Sequence, residues 1–211
     1  MRPNNILNYL ISGNNSTLSY NSHKAEYYEL NNEVNSLLKL YQVLRTPDSF
    51  NSSFKIQIPF VPNGIDLGSN SKEVVSKLGR AKYIANKNIG KNHSVMFFRH
   101  NVNNINILSQ FHFYSDSLVY VKITFDYLEA IKEARNSIYN SLQSKYDLTI
   151  NPNSDNVFVD VNRNYMRIFD NGQVNIQYFY VKDVILKDLR SNLKLGMAKP
   201  DSSNQSIINL I

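Results

Sequence analysis

Hydrophobic residues recur at helical spacing in four stretches of this chain. In each stretch, apolar side chains return every three or four positions, which is typical of a helix that buries one face. In the shortest stretch, Ser69, Glu73 and Gly79 stand where an N-cap, a first-turn acid and a C-cap are expected. The predicted helices are 24–45, 69–79, 126–146 and 183–195.

Apolar and aromatic residues alternate between these helices, as they do in half-buried strands. The predicted strands are 54–58, 94–99, 107–114, 118–125, 157–161, 165–169 and 174–181. Short turns at 115–117 and 170–172 join neighbouring strands, and the second contains Asn171-Gly172, a strong hairpin signal. Hairpin connections predict an α+β fold of antiparallel β-meanders with the helices packed on one side of the sheet.

The order of elements divides the chain into four segments. They are an N-terminal helical segment (1–50), a helix-plus-meander unit (51–125), a second such unit that shares the core (126–198) and a flexible or docked tail (199–211). The two units are either a true repeat or a chance similarity in a chain rich in lysine and tyrosine.

Residues 65–81 carry a recognisable local pattern. Gly68 precedes a short helix with the pair Glu73-Val74, and the helix ends in Leu78-Gly79. With the aromatic strand 95–99 and the hairpin through 121, this segment resembles the BamE/SmpA-like domain. Ala81 stands where that family usually has proline, and the family's lipoprotein cysteine is missing, so its outer-membrane assembly role is not implied. The resemblance implies a helix-plus-antiparallel-sheet fold, which β-lactamase inhibitory proteins use in tandem to bind proteins through an exposed sheet.

The composition excludes several classes of chemistry. Hydrophobic residues make up 42% of the 211 residues and charged residues 19%, which indicates a globular domain. The absence of cysteine excludes disulfides, thiol nucleophiles, zinc ribbons and iron–sulfur clusters. The chain also lacks a phosphate-binding glycine loop, a G-x-S-x-G nucleophile elbow and a helical zinc-protease motif. We therefore expect no cofactor, no metal and no catalytic residues, although an enzyme of an unrecognised family stays open.

Two groups of titratable residues have an alternative interpretation as functional sites. Asp160 and Asp170 would suit a hydrolase only if they converged to roughly 5–9 Å. Otherwise, they are turn and strand-end acids. His100 and His112 could approach each other across neighbouring strands, but a zinc site would need further ligands.

The charge balance indicates the kind of partner. The net charge is +6, but the lysines and arginines are scattered singly and form no basic run. This distribution favours a protein partner, while nucleic acid or glycan stays open. No apolar run approaches the ~20 residues of a membrane span, and no signal-peptide pattern is present. A cytoplasmic protein is expected, and a trimmed mature form stays open.

The aromatic strands supply the candidate binding residues. Phe98, His100 and Tyr120 are predicted to share an exposed sheet face, with Arg99 at the sheet edge. The loop 84–93 adds Lys87 and Lys91, since long loops on a rigid scaffold often carry binding residues. This surface suggests a non-catalytic protein-binding module, such as an adaptor, a chaperone-like factor or an inhibitor or immunity protein. The same aromatics could instead stack bases or sugars, or helices could cover them.

Overall fold

The computed structural model describes residues 16–50, 53–85, 92–102, 105–126 and 132–197. The chain forms two units, Met1–Glu33 and Val34–Ile211. The first unit contains one described helix, α1 (Ser16–Leu30), and the Asn31 side chain donates a hydrogen bond of 2.7 Å to the Tyr27 carbonyl at its end.

The described part of the second unit contains four α-helices and eight strands. The helices are α2 (Leu37–Arg45), α3 (Ser71–Leu78), α4 (Lys132–Tyr146) and α5 (Asp183–Met197). The strands are β1 (Phe54–Lys55), β2 (Tyr83–Ala85), β3 (His93–Val102), β4 (Ile105–Tyr114), β5 (Ser117–Asp126), β6 (Asn156–Val159), β7 (Tyr165–Asp170) and β8 (Val174–Phe179). Within the described residues, no helix has both the length and the apolar character needed to cross a bilayer.

The predicted helix 24–45 is wrong as a single helix. It separates into α1 and α2, because the polar residues after Leu30 interrupt the apolar pattern and Ser36 starts a new helix. The Ser36 hydroxyl accepts a hydrogen bond from the backbone N–H of Lys39 at 3.2 Å. Helix α2 belongs to the second unit, and the predicted segment boundaries stay predictions.

One eight-stranded sheet organises the second unit, in the order β1-β6-β7-β8-β5-β4-β3-β2. Two three-stranded meanders, β3-β4-β5 and β6-β7-β8, meet where β5 pairs with β8 in antiparallel register. The two-residue strand β1 pairs with β6 in parallel, so the sheet is mixed and mostly antiparallel. The prediction of an α+β fold with an antiparallel sheet is therefore confirmed at this level.

Helices cover both faces of the sheet, so the prediction that they pack on one side is wrong. One core joins α3 and α4 to the sheet through Val74, Ile138 and Tyr146; we call this side the α3/α4 face. The other core joins α2 and α5 to the sheet through Leu40 and Leu189; we call this side the α2/α5 face. Successive residues of a strand point to opposite faces, and residues 118–123 of β5 are all buried, so both faces need a cover.

The connection between β1 and α3 is held in place by a buried carboxylate. Asp160, at the β6–β7 turn, is 5% exposed and accepts hydrogen bonds from the backbone N–H groups of Phe60, Asn162 and Asn164 at 2.8–2.9 Å. Phe60 is thereby positioned edge-on to the ring of Tyr146. One side chain thus closes its own turn and joins it to a segment 100 residues away.

We expect Asp160→Asn to lower the free energy of unfolding by about 2–3 kcal/mol. The asparagine replaces one accepting oxygen with a donor and leaves buried N–H groups without a charged acceptor. Urea denaturation would measure the loss. The control is Asp155→Asn, which removes an exposed ion pair with Arg167 and should cost about 1 kcal/mol or less. Equal effects of the two substitutions would contradict this role of Asp160.

Candidate functional site

Two of the residues predicted for an exposed binding face are core residues. Phe98 is 2% exposed and lies edge-on to Phe111 on the α3/α4 face, with ring centroids 5.4 Å apart. Tyr120 is 1% exposed and lies between the rings of His112 and Phe179 on the α2/α5 face. The prediction that Phe98 and Tyr120 share an exposed face is wrong, because they point to opposite faces and helices pack on both.

The other two strand residues of the prediction lie on the surface. Arg99 and His100 are exposed, in the part of β3 that β2 does not cover. Lys87 and Lys91 lie outside the described residues. Ile84 and Ala85, which were assigned to the same loop, belong to strand β2.

Arg99 and His100 form part of a larger surface at the turn end of the β3–β4 hairpin. We define the hairpin end as residues 99–102 and 105–107. Residues 99–102 are exposed and 105–107 half-buried, whereas 95–98 and 108–114 are buried. The Asn101 amide donates a hydrogen bond of 3.0 Å to Asn106 Oδ1 across the two strands.

The two faces of the hairpin end differ in chemistry. Strand alternation and the β3–β4 register place His100 and Val102 beside Ile107 and Ile105 on the α3/α4 face. Val102 is 51% exposed, and both isoleucines pack against the core. Arg99 lies on the opposite face. The hairpin end thus presents an apolar surface together with basic and amide groups.

We expect Phe98→Ala to lower the free energy of unfolding by about 3–5 kcal/mol, as a core truncation of a phenyl ring does. His100→Ala removes the neighbouring side chain but should change stability by no more than about 0.5 kcal/mol, because His100 is exposed. Chemical denaturation of the two variants measures both values. A stable Phe98→Ala protein would show that this ring is not part of the core.

A buried pair of histidines lies on the α2/α5 face. His93 Nε2 and His112 Nδ1 are 3.3 Å apart, and the two rings stack with centroids 5.6 Å apart. Burial, then the charges of His93 and Lys122, hold the pKa of His112 well below its ordinary value. The predicted approach of His100 to His112 is wrong. The β3–β4 register places His100 opposite Ile107. Because the predicted strands left residues 100–106 unassigned, this register could not be predicted from the sequence.

A second polar cluster joins the sheet to α5. The Tyr114 hydroxyl donates a hydrogen bond of 2.6 Å to Asp188 Oδ2 and accepts one of 2.5 Å from the Asn192 amide. Burial and the bond to Asp188 raise the pKa of Tyr114 to about 12. Asp188 and Asn192 are one helical turn apart, so a single hydroxyl fixes the position of α5 along the sheet.

We expect Tyr114→Phe to lower the free energy of unfolding by about 1–2 kcal/mol near neutral pH. The raised pKa means that the folded state favours the protonated phenol. The contribution is therefore complete below about pH 10, the usual pKa of tyrosine, and is lost as the pH rises towards about 12. Urea denaturation at several alkaline pH values should show the two proteins converging. Tyr165→Phe, a half-buried residue of the same core, is the control. A constant difference between wild type and Tyr114→Phe would contradict this assignment.

The carboxylates considered for hydrolysis have structural partners. Asp160 is occupied by backbone N–H groups, and Asp170 pairs with the Arg135 Nε on α4 at 2.9 Å. Among the described residues, no group of three or more potential metal ligands is assembled. The geometry therefore gives these acids roles in holding the fold.

A depression along α4 is lined by residues of a single helix face. They are Glu133, Asn136, Ser137, Asn140, Ser141, Ser144 and Lys145. All are exposed, and the Lys145 ammonium donates to the Val61 carbonyl at 3.2 Å. This surface exposes hydroxyl and amide groups to solvent, and all of its lining residues belong to α4.

No protein-family model matches the chain, and no curated protein matches it. Among solved structures, a cysteine-rich secretory protein from Staphylococcus aureus subsp. aureus Mu50 is similar at 12% identity, with a TM-score of 0.37. The match covers 67% of this chain and 53% of that protein, so the chain spans about half of its length. The resemblance of residues 65–121 to the BamE/SmpA-like domain stays a prediction.

Proposed function

We propose that this chain is a non-catalytic protein-binding module that uses the hairpin end as its contact surface. The observation that carries the proposal is the change in burial along the hairpin. Residues 95–98 lie in the core, whereas residues 99–102 are exposed. The exposed residues include Arg99, His100 and Val102. Held by two rigid strands, these side chains are arranged before a partner arrives, which lowers the entropy cost of binding.

The chemistry of the hairpin end favours a protein partner with apolar and acidic side chains. Val102 supplies exposed apolar area beside the half-buried Ile105 and Ile107. Arg99, His100 and the net charge of +6 complement carboxylates. An apolar centre with a charged margin is the usual composition of a protein interface.

The aromatic surface that would suit nucleic acid or glycan has less support. Phe98 and Tyr120 are buried and cannot stack on a base or a sugar. Lys122 is 7% exposed, and Arg167 pairs with Asp155 and lies over the ring of Phe169. The basic residues of the central strands are therefore largely engaged within the fold.

The BamE/SmpA-like resemblance agrees with the class of function but suggests a different surface. In that comparison, an exposed sheet face binds the partner, whereas here helices pack on both faces of the sheet. The proposal therefore places binding at the end of a hairpin. The division into two helix-plus-meander units and the cytoplasmic location remain part of this proposal.

The test compares two variants at valines of equal exposure. Val102 in the hairpin end and Val161 in the β6–β7 turn are each 51% exposed. Purified wild type, Val102→Asp and Val161→Asp would capture proteins from a lysate of the source cells, with nuclease added and salt varied from about 50 to 200 mM. We expect wild type and Val161→Asp to capture one or more proteins. The amount captured by Val102→Asp should be at least tenfold lower.

Three results would overturn the proposal. Equal capture by both variants would exclude the hairpin end, and no protein captured above background by wild type would exclude a protein-binding role under these conditions. Capture that nuclease abolishes, with a steep loss between 50 and 200 mM salt, would identify nucleic acid as the ligand. Circular dichroism and urea denaturation would first establish that both variants are folded.

A further inference from the structure

The buried histidine pair has no role in the proposed binding surface. His93 is 3% exposed and His112 is fully buried. His112 Nδ1 faces His93 Nε2 at 3.3 Å, and its other nitrogen, Nε2, has no hydrogen-bond partner among the described residues. A neutral imidazole can share one proton with the other ring across this distance. If both rings were protonated, the two nitrogens of this contact would both be N–H donors and would face each other.

The surroundings of the pair also disfavour a positive charge. From β5, Lys122 and Tyr120 face His112, and the Tyr120 ring lies 5.1 Å from the imidazole. On β4 itself, Tyr114 lies two residues further along the same face, and its hydroxyl is bonded to Asp188 of α5. The Asp188 carboxylate is thus engaged with a tyrosine.

The histidines are connected to the layer formed by α2 and α5. A row of rings runs from His93 through His112 and Tyr120 to Phe179. Tyr120 and Phe179 belong to the same core as residues of the two helices, which are Leu40, Tyr41 and Leu44 of α2 and Leu189 and Leu193 of α5. Movement of the His112 ring would therefore disturb the surface on which α2 and α5 pack.

We propose that the His93–His112 pair is an acid-sensitive lock, which keeps the α2/α5 layer on the sheet at neutral pH and loosens it when the pair is protonated. The inference is independent of the hairpin end. It concerns the opposite end of β3 and the other face of the sheet.

The direction of the effect follows from the linkage between proton binding and stability. The closed state holds the pKa of His112 well below its ordinary value, because of burial and then the charges of His93 and Lys122. An opened histidine regains a pKa of about 6.5. The closed layer is therefore fully favoured above about pH 6.5 and loses stability as the pH falls below it. Each proton taken up on opening shifts the equilibrium by up to about tenfold per pH unit.

Hydrogen exchange on the full chain tests this proposal. Protection factors, corrected for intrinsic exchange rates, would be compared at about pH 7.5 and about pH 5, on either side of the histidine range. We expect amides of α2 and α5 to lose protection at least tenfold at the lower pH, while those of α4 on the other face keep theirs. Unchanged protection in α2 and α5, or an equal loss in α4, would overturn the proposal.

Two variants separate the buried pair from exposed histidines. His112→Leu fills a similar volume without a titratable ring and should keep α2 and α5 protected at about pH 5. His100→Gln removes an exposed histidine of the adjacent strand, and its α2 and α5 should lose protection at about pH 5 as they do in wild type. Acid loosening that persists in His112→Leu, or disappears in His100→Gln, would contradict the lock.

A measurement on wild type decides the matter if His112→Leu does not fold. Nuclear magnetic resonance titration of the imidazoles should show that His112 stays neutral in the closed state and takes up a proton only as α5 loses protection. Titration of His112 near pH 6.5 without loss of protection in α5 would overturn the proposal.

Discussion

The antiparallel pairing of β5 with β8 is the contact on which the rest of the fold depends. It joins the two meanders into one sheet, and the paired strands place Ile123 opposite Ile176 and Tyr120 opposite Phe179. These two pairs point to opposite faces, so both faces of the central strands are apolar. Each face then needs its own helices, and the chain supplies them from separated segments. The α2/α5 face is therefore fully covered only when α5, the last described helix, packs on it.

The two faces of this sheet differ in the kinds of side chain that they bury. The α3/α4 face is filled mainly by aliphatic and phenyl side chains. The α2/α5 face instead buries four polar residues, each at 7% exposure or less: Gln110, His112, Lys122 and Asn175. A buried polar group is stable only while its hydrogen bonds and charge state are maintained, so we expect this face to respond to acid more than the other. The difference in composition between the faces is the physical basis for assigning them different roles.

Local features were predictable from sequence because local chemistry determines them. The short helix α3 was expected, although Asn70 rather than Ser69 is its N-cap: Asn70 Oδ1 accepts from the Glu73 N–H, and Glu73 accepts from the Asn70 N–H, each at 3.0 Å. The β5–β8 and β1–β6 pairings have no local signal, since they join residues far apart in the chain. Arg99 and His100 are exposed, and their part in binding stays a prediction. Phe98 and Tyr120 were misplaced because aromatic residues occupy both faces of these strands, so alternation alone could not identify a solvent face.

Strand β3 connects the proposed binding surface with the histidine pair proposed to respond to acid, and its length keeps them apart. His93 begins the strand and Val102 ends it, which corresponds to roughly 30 Å at about 3.3 Å per residue. Substitutions separated by more than about 10 Å without shared partners usually act additively. Acid loosening of the α2/α5 layer should therefore leave the hairpin end in place, because Ile105 and Ile107 pack on the core of the opposite face. The proposed binding and the proposed acid response are therefore separable, because they concern opposite ends of one strand.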